Sequence, residues 1–310
     1  MSRRFARATV CFHLLTAVGL ASATAPAAPP EAASRNAAAA SAEVAPAEAP
    51  RLFAFDNGTG RGAATPAEQA KMLKELGYSG IGYSGTAGIP EMLAALEAEG
   101  LTMFSTYVGA DLDPAKPPYD PGLPKAIEQL KGQPTILWLY VLGPGPADAE
   151  RDCRAVEILR QVADLAAASD LRVALYPHVG FYVATVDDAL RLAEKTQRDN
   201  VGVSFNLCHF LKLDDEQNLE AVLRRAMPKL FLVSINGADR GETRTMGWDR
   251  LIQSLDRGSF DNAALVGLLG RLGYRGPIGL QCYGIGAPPR EHLGRSIAAW
   301  RKIVAEPPRR

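Results

Sequence analysis

The 310-residue chain has little of what marks a nucleic-acid-binding, disulfide-rich or polytopic membrane protein. Lysine and arginine together number 34, and so do aspartate and glutamate, so no overall basic field exists to attract nucleic acid or anionic lipid. The one long apolar run lies at the extreme N-terminus, which excludes a polytopic membrane protein. With 47% hydrophobic and 22% charged residues, the composition is that of a globular chain of enzyme size.

The N-terminal apolar run has the pattern of a secretory signal peptide. Three arginines and no acidic residue precede an apolar segment over residues 8–20, and small residues follow it as a cleavage site. We therefore expect residues 1–25 to direct export, by the general or the twin-arginine route, to the periplasm or the medium; an uncleaved anchor is the alternative. Residues 26–50 are almost entirely Ala, Pro, Glu and Ser, which predicts a disordered linker and no membrane contact in the mature form.

Three of the four cysteines follow the leader: Cys153, Cys208 and Cys282. An odd number of thiols in an oxidising compartment excludes a complete disulfide framework. We expect all three to be buried free thiols.

From residue 51 onward, strand and helix patterns alternate eight times. The predicted strands cover residues 52–55, 80–84, 101–108, 135–142, 172–176, 201–205, 230–235 and 278–282. Eight such units in about 255 residues predict a single (β/α)₈ TIM barrel over residues 51–306. A doubly wound open sheet is the alternative, but the glycine-rich segment 56–62 lacks the spacing of a phosphate loop, so no nucleotide cofactor is expected.

In a barrel of this kind the chemistry lies where strands end and the following loops begin. His178 and His209 follow neighbouring predicted strands, and an imidazole titrates near neutral pH, so they are the candidate catalytic residues. His292, just before the last predicted helix, is expected at the surface. The candidate substrate-binding residues, most of them at strand ends, are Asp56, Tyr83, Tyr107, Tyr176, Asn236, Asp239 and Trp248.

Four motifs carry a resemblance to a known family. Residues 173–178 (VALYPH) stand where the family has a strand ending Glu-Asn-His, and residues 200–209 (NVGVSFNLCH) where it has a Val-Gly strand ending Asp-x-x-His. Residues 258–261 (GSFD) and 272–281 (LGYRGPIGLQ) are similar to its Gly-x-x-Asp and Gly-Tyr-x-Gly motifs. Over residues 52–304 the chain resembles the xylose isomerase-like TIM barrels, also called the sugar phosphate isomerase/epimerase superfamily, as an exported subgroup with altered metal-site residues.

The departures from the family concern its metal site. The resemblance implies one divalent metal, such as Mn²⁺, held by a Glu, an Asp, a His or Gln, and a second Glu from the last four strands. The two Glu residues also shuttle a proton between neighbouring sugar carbons. The matching positions here are Tyr176, Asn206, Ser234 or Asn236, and Gln281, all uncharged. An amide keeps the hydrogen-bonding oxygen of a carboxylate but cannot take its proton, so a two-glutamate shuttle cannot operate.

Two interpretations of the site follow. In the first, one divalent ion (Mn, Zn, Co or Ni) is held by His178 and His209 through imidazole and by Asn206 and Gln281 through amide oxygen, with weak affinity unless an aspartate joins. In the second, no metal is bound and His178 or His209 acts as general acid and base.

The expected substrate is a small carbohydrate. Export, and the lack of an Arg or Lys cluster at the strand ends, indicate a non-phosphorylated sugar or keto-sugar. Proton abstraction next to a carbonyl, through an enediol-type intermediate, would make the protein an isomerase or epimerase. The alternatives are a keto-glycoside lyase of the same superfamily and a non-catalytic carbohydrate-binding barrel. Trp248, in the long segment 237–260, is a lid or a partner contact, and the resemblance suggests a homo-oligomer.

Overall fold

The computed structural model describes residues 50–144 and 147–305, so the predicted signal peptide and nearly all of the predicted linker lie outside the described residues. Within them, eight parallel strands form a closed barrel in sequence order, and the last strand pairs with the first. The predicted (β/α)₈ barrel is confirmed. The strands are β1 (Leu52–Phe55), β2 (Gly80–Ser84), β3 (Thr102–Asp111), β4 (Ile136–Leu142), β5 (Arg172–Leu175), β6 (Val201–Asn206), β7 (Leu230–Ile235) and β8 (Ile278–Leu280).

Several of the helices that surround the barrel begin at local capping signals. Thr65 and Glu68 form a reciprocal capping box at the first helix, and Thr185 and Asp188 form another at the fifth. Across the described residues the helices are α1 (Pro66–Leu76), α2 (Ile89–Ala98), α3 (Leu123–Gln129), α4 (Ala149–Ala167), α5 (Val186–Thr196), α6 (Leu207–Leu213), α7 (Leu219–Ala226), α8 (Trp248–Leu251), α9 (Asn262–Arg271) and α10 (Pro289–Ala305). None of those helices combines the length and apolar character that a membrane crossing needs.

Aromatic rings fill the inside of the barrel. Because side chains alternate along a strand, Phe53 and Phe55 point inward from β1 while Leu52 and Ala54 pack in the larger core beneath the helices. The neighbouring strands leave space for these rings, since a Cβ at Gly82 of β2 would overlap the ring of Phe55. The interior therefore closes with a floor of stacked rings, above which the strand ends carry polar groups.

Strands β3 and β4 extend beyond the rim of the barrel. The sequence predicts a third strand over 101–108, but β3 continues to Asp111, and Gly109 pairs with Tyr140 of β4. Pairing of β4 with β5 already ends at Leu139. A two-stranded wall therefore projects past the other strand ends.

Two sequence predictions about burial are wrong. Cys208 and Cys282 are buried free thiols as expected, but Cys153 is exposed, because it lies on the outward face of α4. His292 is 3% exposed rather than at the surface. Helix α10 starts three residues earlier than predicted, which turns His292 inward against Gly58 and Cys282.

Candidate active site

A cavity of about 350 Å³ opens at the C-terminal ends of the strands, which is within the size range of small-molecule sites. It brings together seven of the residues that the sequence predicts for the site: Asp56, Tyr107, Tyr176, His178, His209, Trp248 and Gln281. It also contains residues that the sequence analysis did not single out, among them Phe55, Asn57, Arg61, Ser84, Trp138 and Tyr283.

Asp56 is the one carboxylate among the described residues that line this cavity. It directly follows β1 and is 1% exposed. Its Oδ1 accepts a hydrogen bond from Ser84 Oγ at 2.7 Å and lies 3.3 Å from Arg61, whereas its Oδ2 is buried with no partner in the described residues. Burial raises the pKa of Asp56, and the Ser84 hydrogen bond and the Arg61 charge offset this only in part. The carboxyl therefore binds a proton more readily than an exposed aspartate does.

His178 presents a free ring nitrogen. Its Nδ1 lies 2.7 Å from the carbonyl oxygen of Val179, which can only accept, so Nδ1 carries the proton and Nε2 has a lone pair. The ring stacks on Phe181 at 3.9 Å between centroids. Burial lowers the pKa of His178 below its ordinary value of 6.5, so the imidazole is neutral at pH 7 and can act as a base.

His209 lies in α6, where its ring contacts both Tyr176 and His178. Its Nε2 is 2.8 Å from Tyr176 Oη, and the two histidine rings lie 3.9 Å apart. Asn206 Nδ2 donates to the same Tyr176 oxygen at 3.4 Å, so the hydroxyl of Tyr176 is free to donate to His209. Burial and the neighbouring His178 lower the pKa of His209 to about 2, which keeps it neutral. The position of His209 indicates that it holds Tyr176 and His178 in place.

The oxygens of Asn206 and Gln281 are already occupied. Asn206 caps α6: its Oδ1 accepts from the backbone N–H of His209 at 3.3 Å and from the Cys208 thiol at 3.0 Å. Gln281 Oε1 accepts from the backbone N–H groups of Cys282 and Tyr283 at 3.0 and 3.1 Å and from Asn57 Nδ2. Both amides therefore brace the backbone after β6 and β8.

The donor set does not fit the metal site that the family resemblance implies. Two of the four candidate ligands, Asn206 and Gln281, hold protein donors, and His209 Nε2 is bound to Tyr176. Across residues 50–144 and 147–305, no group of three His, Cys, Asp or Glu is arranged to hold a metal ion. Three of the four predicted ligand residues thus use the named atoms for protein hydrogen bonds, while His209 Nδ1 is buried without a partner among the described residues.

Three predicted substrate-binding residues lie elsewhere. Tyr83 Oη donates to the carbonyl of Ala87, and Asp239 pairs with Arg250 at 2.8 Å. Asn236 is buried and donates to the backbone carbonyl of Leu251, where it fixes the segment that carries Trp248. All three stabilise loops around the rim, and none lines the cavity.

Trp138 was missed because β4 ends in no polar signal. The alternation along β4 turns Trp138 inward, where it stacks on Phe55 at 4.4 Å and donates from Nε1 to Ser204 Oγ at 2.8 Å. Periodicity alone could have placed it inside the barrel. Together with Tyr107, Tyr176 and Trp248 it gives the cavity aromatic walls, with polar groups at a few points.

Comparison with known proteins gives one family and many barrels of the same fold. A family model described as xylose isomerase-like TIM barrel matches residues 70–303. No curated protein gives a significant sequence match.

Among solved structures, 3-keto-D-glucoside 4-epimerase YcjR from E. coli superposes with a TM-score of 0.65 at 18% identity over 81% of this chain and 99% of that one. The zinc-bound IOLI protein superposes with a TM-score of 0.65 at 15% identity, over 82% of this chain and 98% of that one. D-allulose 3-epimerase from Methylomonas sp., in complex with D-allulose, superposes with a TM-score of 0.63 at 16% identity, over 82% of this chain and 97% of that one. At these identities the solved structures establish a shared fold.

Proposed function

Because the chain belongs to the xylose isomerase-like TIM barrel family, we propose that it is an isomerase- or epimerase-like enzyme for a non-phosphorylated sugar or keto-sugar. In this proposal Asp56 and His178 transfer the proton next to the substrate carbonyl, in place of the two glutamates that the family resemblance implies. The observation that carries it is that Asp56, the one carboxylate among the described lining residues, and His178 with its free Nε2 line the same cavity.

The two groups approach a ligand from opposite sides. Asp56 follows β1 and His178 follows β5, and these strands lie across the barrel from each other in the closed order of eight. A ligand between them presents the C–H beside its carbonyl to one group. That group takes the proton, the bond electrons pass to the carbonyl oxygen as an enediolate, and a proton returned from the other side to the same carbon inverts it. Return of the proton to the neighbouring carbon, with transfer of that carbon's hydroxyl proton to the former carbonyl oxygen, gives isomerisation.

Burial brings the proton affinities of the pair together. It raises the pKa of Asp56 from its ordinary 3.8 and lowers that of His178 from its ordinary 6.5. A proton moves between an acid and a base with least cost when their affinities are similar and lie near the working pH. Exchange needs one unprotonated group that takes the proton, whereas inversion also needs a proton on the opposite group, so the two groups exchange roles with the direction of the reaction.

The walls of the cavity favour an uncharged sugar. Arg61 is paired with Asp56, and no second Arg or Lys lines the cavity among the described residues. A phosphate group would therefore have to compete with Asp56 for Arg61. Trp138, Tyr107 and Trp248 offer apolar ring faces, while the hydroxyl of Tyr107 has no partner in the described part of the chain and can donate to a sugar oxygen.

The test is hydrogen exchange at carbon. The purified chain is incubated in D₂O with a panel of aldoses, ketoses and keto derivatives of glucosides, and deuterium entering the carbon beside the carbonyl is followed by NMR. We expect exchange with at least one sugar, and its loss in Asp56→Asn and in His178→Gln. Asp239→Asn, an aspartate outside the cavity, is the matched control and should exchange normally.

Other outcomes separate the alternatives. Release of an aglycone from a keto-glycoside, in place of an isomeric product, would identify a lyase. Sugar binding without exchange would identify a non-catalytic barrel. Because the donor set does not fit a metal, exchange should survive dialysis against EDTA; a loss that added Mn²⁺ reverses would contradict the metal-independent mechanism.

We also propose that the enzyme works outside the cytoplasm. The proposal rests on the leader pattern of residues 1–25, which lies outside the described residues. Cell fractionation with N-terminal sequencing of the mature chain is the check, and a cytosolic chain with an intact N-terminus would contradict it.

A further inference from the structure

A second cleft, of about 330 Å³, lies beside the candidate active site along the upper parts of β3 and β4. Tyr107 lines both the main cavity and this cleft, so the two spaces share a wall. The other aromatic residues of the cleft are Tyr119 and Tyr140. None of the functions discussed above uses this cleft.

The cleft exists because β3 and β4 project beyond the barrel rim. Tyr140 stands opposite Gly109 across this extension. A Cβ on Gly109 would overlap the Tyr140 ring, so glycine at this position lets the ring lie flat against β3. Tyr140 also packs on Tyr107, with ring centroids 4.7 Å apart. The ring is thereby held in one place while it remains partly exposed.

Tyr119 is brought in by a segment that folds back on β3. Asp111 N–H donates to the carbonyl of Pro118 at 2.9 Å, and Tyr119 forms an antiparallel bridge with Ala110. The backbone thus fixes a second ring at the same cleft. An unbroken set of ring contacts then runs from Tyr140 through Phe181 (5.4 Å) to His178 (3.9 Å).

The polar groups of the cleft suit a neutral, hydroxyl-rich ligand. The hydroxyls of Tyr107, Tyr119 and Tyr140 have no hydrogen-bond partner among the described residues. The charges are largely compensated, since Lys116 pairs with Asp111 at 3.0 Å, and Asp120 accepts from Thr86 and has no cation beside it. The remaining negative charge disfavours phosphate, whereas flat ring faces next to hydroxyls and carboxylate oxygens match the apolar face and the hydroxyl groups of a pyranose.

We propose that this cleft is a second sugar subsite, so that the substrate is a disaccharide or a comparable glycoside. One ring lies between Asp56 and His178, and the second ring lies on Tyr140 and Tyr119. The inference rests on the proposed function, because it takes the main cavity to hold a sugar. Tyr107, which both spaces share, contacts both rings.

The experiment measures dissociation constants by calorimetry for the full chain. The probes are glucose, galactose and mannose, their α- and β-linked disaccharides, and keto derivatives of each. The variants are Tyr140→Ala, Tyr140→Phe, which keeps the ring, and Tyr83→Ala, which removes a ring outside both spaces. Thermal unfolding of every variant checks that it folds.

We expect at least one disaccharide to bind about tenfold more tightly than its constituent monosaccharides, which corresponds to about 1.4 kcal/mol. Tyr140→Ala should remove this preference and leave monosaccharide affinity unchanged, while Tyr140→Phe and Tyr83→Ala should retain it. Two results would overturn the subsite and leave the proposed function standing. One is monosaccharide binding with no preference for a disaccharide. The other is an equal loss of affinity for monosaccharides and disaccharides in Tyr140→Ala. Failure of every saccharide to bind would overturn both.

Discussion

Replacing Asp56 by asparagine is expected to abolish proton exchange and to stabilise the fold at neutral pH. The carboxyl is 1% exposed, and burial raises its pKa above 3.8. Between the unfolded and the folded pKa the folded state binds more protons, so the free energy of unfolding falls as pH rises through this window. The loss of stability caused by burying the ionised Asp56 is complete above the pKa of the folded state and absent below the pKa of the unfolded state.

The contacts that Asp56→Asn loses and the burial cost that it removes together set the change in the free energy of unfolding. The variant loses the Arg61 ion pair, which is worth about 0–1 kcal/mol because the Arg61 side chain is 53% exposed. The Ser84 hydrogen bond to Oδ1 at 2.7 Å persists with an amide oxygen, at a loss of about 1 kcal/mol of charge assistance. Removing a buried ionised group with one unpartnered oxygen relieves several kcal/mol. A net gain of about 1 kcal/mol or more predicts a rise in Tm of about 2–4 °C at pH 7.

The assay is thermal unfolding at a series of pH values from 4 to 8, together with deuterium exchange at pH 7. The Tm difference between Asp56→Asn and the parent should shrink as the pH approaches 4, while exchange falls by about 10²–10⁴-fold. In Asp239→Asn no gain is expected at any pH, because Arg250 lowers the pKa of Asp239 and so favours its ionised form in the folded state. If Asp56→Asn were less stable than the parent at pH 7 and equal to it at pH 4, Asp56 would be an anchor for Arg61 and the acid–base assignment would fail.

Three further predictions test other parts of the site. Exchange should have a bell-shaped pH profile with its acid limb below pH 6.5, since burial lowers the pKa of His178; a limb at or above 6.5 would count against His178 as the base. Trp248→Ala should raise KM more than it lowers kcat, measured by initial rates, because this ring lines the cavity and packs 5.3 Å from His209 but carries no group that transfers a proton; an effect on kcat alone would contradict that. Gly109→Val should displace Tyr140 and weaken disaccharide binding in calorimetry, with monosaccharide affinity intact.

The fold could be predicted because strand and helix patterns alternate eight times, and most of the barrel strands are short apolar runs with polar residues at their ends. Strand β2 has the predicted limits, and the meeting of His178 and His209 follows from their places after neighbouring strands. The extension of β3 could not be predicted, because Gly109 and the two residues after it have no strand pattern of their own. They become a strand by pairing with β4.

The hydrogen-bond partners of the Asn206 and Gln281 side-chain oxygens could not be predicted from the sequence either. Asn206 and Gln281 occupy the strand-end positions expected of ligands, but helix α6 begins at the residue after Asn206 and needs a cap. The turn after β8 likewise leaves two N–H groups for Gln281. Local backbone donors decide the role of each amide, and only the folded chain shows where these donors point.

The same hydrogen bonds explain how the site can work without the family carboxylates. Asn206 and Gln281 stand at the positions that the family resemblance gives to carboxylates, and each uncharged amide braces the backbone by accepting N–H groups. With charge removed from this half of the barrel, the single buried carboxyl on the opposite side, Asp56, faces no competing anion among the residues that line the cavity. Its raised pKa therefore comes from burial, and the neutral His178 across the barrel is its natural proton partner. In the proposed mechanism, the Asp56–His178 pair thus takes the place of the family carboxylates in a cavity whose described lining residues include no second anion.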